Sequence, residues 1–297
     1  MIPHYVALII EIFDNDLHDV DRLNENISNE ISKIITWLEV NKLSINEAKT
    51  KVMIFYMPPK QIAIPVIKLN NIPLEIVDNF NFLGININKS LKWKTHVDII
   101  CNKVLKYIAV IKRTRAFIPF SILLTLYKSL IMPIFHYGTL LWGTCSDQLY
   151  KLQKRVIRII TNSHFIAHSE PIFKMLNLLK VPDIYRIQLY KLYYKIKHNT
   201  VPGYFIGMLS LVEHPSNTRN QFLKYPPARH EYARTNCLYQ LIDIINTTPT
   251  LDSLAIRFDM IATHSQAGFT IFHKTMILNA YSLDCTITNC YVCHTCS

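Results

Sequence analysis

The chain has 297 residues, 50% of them hydrophobic, with 6 glycines, 14 prolines and a formal net charge of +11. That is enough apolar material for one large domain or two ordinary ones, and the composition excludes a low-complexity or generally disordered chain. The excess of lysine and arginine suggests a polyanionic partner, either nucleic acid or an anionic membrane surface.

Residues 1–35 are acidic, with Glu11, Asp14, Asp16, Asp19, Asp21, Glu25 and Glu30 against Arg22 and Lys33. The apolar run at 6–10 lacks the basic flank and cleavage site of a secretory signal. The scattered Cys101, Cys145 and Cys237 are therefore expected as reduced thiols of an intracellular protein, nuclear or cytoplasmic. From 16 to 40, Leu17, Val20, Leu23, Ile27, Ile31, Ile34 and Leu38 recur at helical steps, and Asn41 is placed to end that helix. Asp14 and Asp16 stand at its entrance, where capping accounts for them. Residues 51–56 read as a strand broken by Pro58 and Pro59, 67–77 as a hairpin turning near Asn70 and Asn71, and 81–88 as a strand containing Gly84.

From 89 to 115 the chain turns basic: Lys89, Lys92, Lys94, Lys103, Lys106, Lys112, Arg113 and Arg115 are opposed by Asp98 alone. Over 92–113, Trp93, Val97, Ile100, Val104, Ile108 and Ile111 predict one apolar helix stripe, with Lys92, Lys103, Lys106 and Arg113 beside it. Residues 117–142 are apolar enough to mimic a membrane span, but Lys128, Pro119, Pro133 and His136 interrupt them, so a buried core helix and no membrane partner are expected. A helix at 147–161 sets Leu149, Leu152, Val156 and Ile159 against Lys151, Lys154, Arg155 and Arg158. Another at 183–198, N-capped by Asp183, carries Tyr185, Tyr190, Tyr193 and Tyr194. Residues 200–235 read as loop, and 236–297 show weak periodicity.

The stretches NKLSINEAKTKVMIF at 41–55 and NFNFLGININ at 79–88 resemble two late blocks of a non-LTR (LINE/jockey-like) retrotransposon reverse transcriptase, the D motif and the primer-grip hairpin. The likeness runs over roughly 15–235 in order. It continues through Leu91-Lys92-Trp93, Tyr127 to Ile131 with Pro133, Tyr137-Gly138, Trp142-Gly143, Leu152-Gln153-Lys154-Arg155 with Arg158-Ile159-Ile160, Asn217-Thr218-Arg219 and Arg234-Thr235. The resemblance implies an α+β fold: a partial palm remnant over 1–88, with one long helix and short antiparallel strands, then a mostly helical, thumb-like region over 89–200 and a loop-rich part over 201–297. It also implies descent from an RNA-directed DNA polymerase, an enzyme that uses Mg²⁺ held by carboxylates. If Ala7-Leu8-Ile9 aligns with the strand after that family's Tyr-Ala-Asp-Asp turn, the two aspartate positions hold His4 and Tyr5, which are not the hard oxygen ligands Mg²⁺ prefers. The expectation is a 5′-truncated element with no metal cofactor of its own, inactive alone, at most binding template–primer RNA or DNA without sequence preference. An N-terminal polymerase half encoded by the gene would be a further partner.

The family places a lysine of the D block near the incoming triphosphate, which points to Lys49 and Lys51; solvated lysines flanking a strand are the alternative. Phe82, Leu83 and Gly84 would set the hairpin against a primer terminus, or form a simple bulge. Lys92, Lys103, Lys106 and Arg113, with Lys151, Lys154, Arg155 and Arg158, are the candidate phosphate contacts, or else the polar faces of amphipathic helices. The tyrosines at 185–194 could stack bases or pack a core. Cys285, Cys290, Cys293 and Cys296 crowd together with His294 without the spacer of a usual zinc site. His164 and His168 lack a third ligand nearby, and no phosphate loop or nucleophile–His–acid arrangement is found. The rival functional class is a non-enzymatic nucleic-acid-binding or protein-interaction module, or a transposon remnant with no function.

Overall fold

The structure, a computed structural model, describes residues 20–43, 45, 46, 50–55, 66–69, 72–203, 205, 225 and 234–247. Lys49, His4, Tyr5, Asp14, Asp16, the 217–219 motif and the cysteine-rich tail lie outside these residues. The chain divides into two compact units, Met1–Thr95 and His96–Ser297.

In the first unit, helix α1 (Val20–Val40) places Ile27 and Leu38 inward, as the apolar period requires. The helix stops where expected. Lys42 adopts φ 56°, Leu43 N–H donates to the Leu38 carbonyl at 2.8 Å, and Asn41 Nδ2 donates to the Trp37 carbonyl at 2.7 Å. Strand β1 (Lys51–Val52) pairs in parallel with β4 (Glu75–Ile76). Strands β2 (Lys68–Leu69) and β3 (Ile72–Pro73) pair antiparallel, forming the hairpin expected at 67–77. Ile27 and Ile67 form a small core with Ile31, Val52 and Leu74.

Two sequence expectations change here. Of the strand expected at 51–56, Lys51–Val52 are extended and paired with the equally short β4, residues 53–55 are not strand, and Tyr56 lies outside the described residues. The single strand read from the residue pattern at 81–88 is instead a hairpin, β5 (Asn79–Phe82) and β6 (Ile85–Asn88), as the family resemblance at 79–88 implied. Leu83 at φ 49° and Gly84 at φ 81° form its turn, and two successive positive φ values match the right-handed twist of a tight hairpin. Asn79 and Asn81 are exposed while Phe80 and Phe82 are half-buried, the two-residue alternation of a one-sided ribbon.

The second unit is helical. Helix α2 (Lys94–Thr114) buries His96, Val97, Ile100, Cys101, Val104, Ile108 and Ile111 along one stripe. Lys92 precedes this helix and so does not join the row of Lys103, Lys106 and Arg113. The apolar region at 117–142 is not one straight core helix. Helix α3 (Phe120–Leu126) passes through a π turn (Tyr127–Ile131) into α4 (Met132–His136), and the wider turn stands directly before Pro133, which has no N–H for the helical ladder. Tyr137 is extended and Gly138 takes φ 63°, after which α5 (Thr139–Trp142) and a short 3₁₀ turn (Gly143–Cys145) follow. The two parts, Phe120–His136 and Thr139–Cys145, meet at 61°, and among the described residues no single helix is long and apolar enough to cross a membrane. Their inward residues Leu123, Tyr127, Ile131, Phe135 and Trp142 are buried.

Helices α6 (Asp147–Ile160), α7 (Ser169–Met175), α8 (Val181–Lys197) and α9 (Cys237–Thr247) complete the unit. Asp183 is not the N-cap of α8. Lys180 holds that place, Pro182 fits the first turn because no N–H is required there, and Asp183 falls within that turn. Gln153 on α6 is fully buried and fully used: Nε2 donates to Tyr127 Oη at 3.0 Å and to the Leu179 carbonyl at 2.8 Å, and Oε1 accepts from Val181 N–H at 2.8 Å. One amide thus ties the π turn, α6 and the start of α8 together. Gly143 leaves room for the Tyr185 ring, whose nearest carbon would lie 2.2 Å from an added Cβ.

Candidate nucleic-acid interface

Cys101 Sγ on α2 donates to Gln148 Oε1 on α6 at 3.8 Å, near the front of both helices. Further along, both helices line one open cleft of about 380 Å³. They therefore run side by side in the same direction, and their C-terminal ends reach the same place. A helix C-terminus carries a partial negative charge, so cations gather there at low cost.

The cleft is lined by Lys112, Arg115, Arg155, Arg158, Ile159, Ser163 and Phe165. No carboxylate lines it, and no ion pair is found for its four cations among the described residues. Arg158 is half-buried, and its Nε donates to the Ala167 carbonyl at 2.9 Å, which fixes the plane of the guanidinium. Burial pulls the Arg158 guanidinium below its usual value, with Tyr150 acting in the opposite direction. The group stays charged, because an arginine is never deprotonated near neutral pH.

The rim is built by the end of α6. Asn162 takes φ 54°, Ser163 N–H donates to the Arg158 carbonyl at 3.0 Å and Asn162 N–H to the Ile159 carbonyl at 3.3 Å. This left-handed helix ending turns the chain back on itself. Phe165, just beyond, is 77% exposed, and its ring lies 4.7 Å from that of His164, tilted by 41°.

Of the sequence-predicted residues, Arg155 and Arg158 come together here, joined by Lys112 and Arg115. Lys103 and Lys106 are exposed on α2 and do not line the cleft, and neither does Arg113, whose Nε donates to the Ala109 carbonyl at 3.4 Å. Lys151 and Lys154 also lie outside it, and Lys154 Nζ sits 4.5 Å from the centre of the Tyr150 ring. Lys51 is ion-paired with Glu75 across β1 and β4, a structural role on the sheet. Phe82, Leu83 and Gly84 form the β5–β6 turn in the first unit, with Leu83 62% exposed. Among the tyrosines, Tyr185 is buried against Gly143, with its phenol pushed up by that burial, and the Tyr194 ring lies 4.2 Å from that of His198, tilted by 42°. Among the described residues no group of three or more His, Cys, Asp and Glu could hold a metal.

Sequence reasoning placed Lys112 and Arg115 in the basic run but not in a site. Lys112 flanks the apolar stripe of α2 on the side away from Lys103, and that was the available signal. Phe165 carried none, since only the turn at Asn162 brings it to the cleft.

The chain is similar to a transposon polymerase. It is 24% identical over 154 residues to the probable RNA-directed DNA polymerase from transposon X-element of Drosophila melanogaster. The match covers 50% of this chain and 17% of that protein. No family model and no solved structure matches the chain.

Proposed function

We propose that this chain binds RNA or DNA through the phosphate backbone, without sequence preference, and does not by itself extend a primer. The observation that carries this reading is the convergence of Lys112, Arg115, Arg155 and Arg158 on one cleft that no carboxylate lines. Phosphate contacts of this kind give affinity and register but no sequence information. The similarity to a transposon RNA-directed DNA polymerase supports nucleic acid as the polyanion. Against polymerisation stand His4 and Tyr5, which take the places of the two-metal carboxylates when Ala7-Leu8-Ile9 is aligned with the strand after the family's Tyr-Ala-Asp-Asp turn.

The test uses the purified chain and a primed RNA template with Mg²⁺ or Mn²⁺. Binding should be similar for primed templates of scrambled sequence, with no nucleotide incorporated. Robust incorporation would overturn the second half of the proposal, and absence of binding at low salt the first.

A further inference from the structure

The cleft combines two kinds of chemistry that a duplex backbone alone does not need. Its floor and walls offer four cations, two of them guanidinium planes on α6. Its rim offers Phe165, an aromatic ring 77% exposed at the end of a turn with fixed geometry. The volume of about 380 Å³ falls in the range of roughly 300–1,000 Å³ typical of small-ligand pockets. The ligand class that matches both features is a nucleotide whose base has left its stack. Such a nucleotide would set its phosphate against Lys112, Arg115 and Arg155 and its base on the Phe165 ring.

We propose that the α2–α6 cleft is a site for an unpaired nucleotide, so that the chain prefers single-stranded nucleic acid or a frayed end over intact duplex. This rests on the nucleic-acid reading above and narrows it. Every base has a π-face, so stacking on Phe165 discriminates unpaired from paired bases and not one base from another. Arg158, pinned to Ala167, positions the phosphate-facing wall, and Ser163 lies beside it with a hydroxyl 2.8 Å from Thr161 Oγ1.

The experiment measures binding of a fluorescein-labelled oligothymidylate and of a duplex of equal length to wild type, Phe165→Ala and Phe165→Trp at one salt concentration. Phe165 is exposed, so neither substitution disturbs the core. Phe165→Ala should weaken single-strand binding roughly 5- to 150-fold, the loss of one stacked base. It should leave duplex binding unchanged, and Phe165→Trp should retain or tighten the single-strand affinity. An equal affinity of wild type for the two probes overturns the inference, as does a Phe165→Ala variant that binds the single strand like wild type. Both outcomes would leave general nucleic-acid binding standing. Binding of neither probe by wild type overturns both readings.

Discussion

At the scale of single residues, the second unit is held by polar groups placed where a sequence would suggest only apolar ones. Gln153 lies inside the core with its donors and acceptor engaged, so it acts as a fastener and not as part of a charged helix face. An amide left with its partners removed would cost about 1–3 kcal/mol per unsatisfied group. His96 is buried on α2, with its ring 6.5 Å from that of Trp142, and burial holds its pKa below the ordinary 6.5. Below about pH 6.5 the unfolded chain takes up a proton that the folded chain resists, so this residue's contribution is intact at higher pH and is lost as pH falls. A His96→Phe variant, which keeps a ring beside Trp142, should therefore lose less thermal stability than wild type between about pH 7.5 and pH 5.5. Melting curves at the two pH values check this. Equal losses in both proteins would show that His96 does not titrate between the two states.

At the scale of elements, a recurring device replaces glycine. With 6 glycines in the chain, the left-handed residue that ends a helix is Asn162 for α6, Asn177 for α7 and Asn199 for α8. Asparagine tolerates this conformation better than other residues with a side chain. Helix periods were legible in the sequence because apolar residues recur at three- and four-residue steps, as in Val97, Ile100, Val104, Ile108 and Ile111. The β5–β6 turn was legible through the family resemblance and not through the residue pattern, since Leu83 at positive φ is set by the ribbon's twist and not by its own preference. The break at Tyr137 and Gly138 follows the interruptions Lys128, Pro133 and His136 of a mostly apolar run, and none of these marks its position. Asn162→Ala should cost about 1 kcal/mol of stability, and Asn162→Gly should stay within about 0.5 kcal/mol of wild type. Chemical denaturation of the three proteins measures both. A Gly variant as unstable as the Ala variant would mean that the asparagine side chain, and not the backbone conformation, sets the end of α6.

At the scale of the whole molecule, charge is what connects sequence to proposed function. The +11 excess and the basic run after residue 88 pointed to a polyanion. They did not show which cations act together, because that depends on α2 and α6 running side by side with a common C-terminal end. Arg155 and Arg158 were visible as one face of α6. Lys112 and Arg115 joined them through packing between two helices some forty residues apart in sequence. In the first unit, Lys51 is tied to Glu75 and Lys89 to Asp78.

The most direct test is the salt dependence of nucleic-acid binding by wild type and by the Lys112→Gln, Arg115→Gln, Arg155→Gln triple variant. Each phosphate contact contributes about 0.7–0.9 to the slope of log affinity against log salt. The triple variant should therefore lose about 2–3 from that slope, while a Lys103→Gln, Lys106→Gln variant outside the cleft keeps nearly all of it. A triple variant with an unchanged slope, or a Lys103/Lys106 variant that loses as much, would contradict the assignment of binding to this cleft.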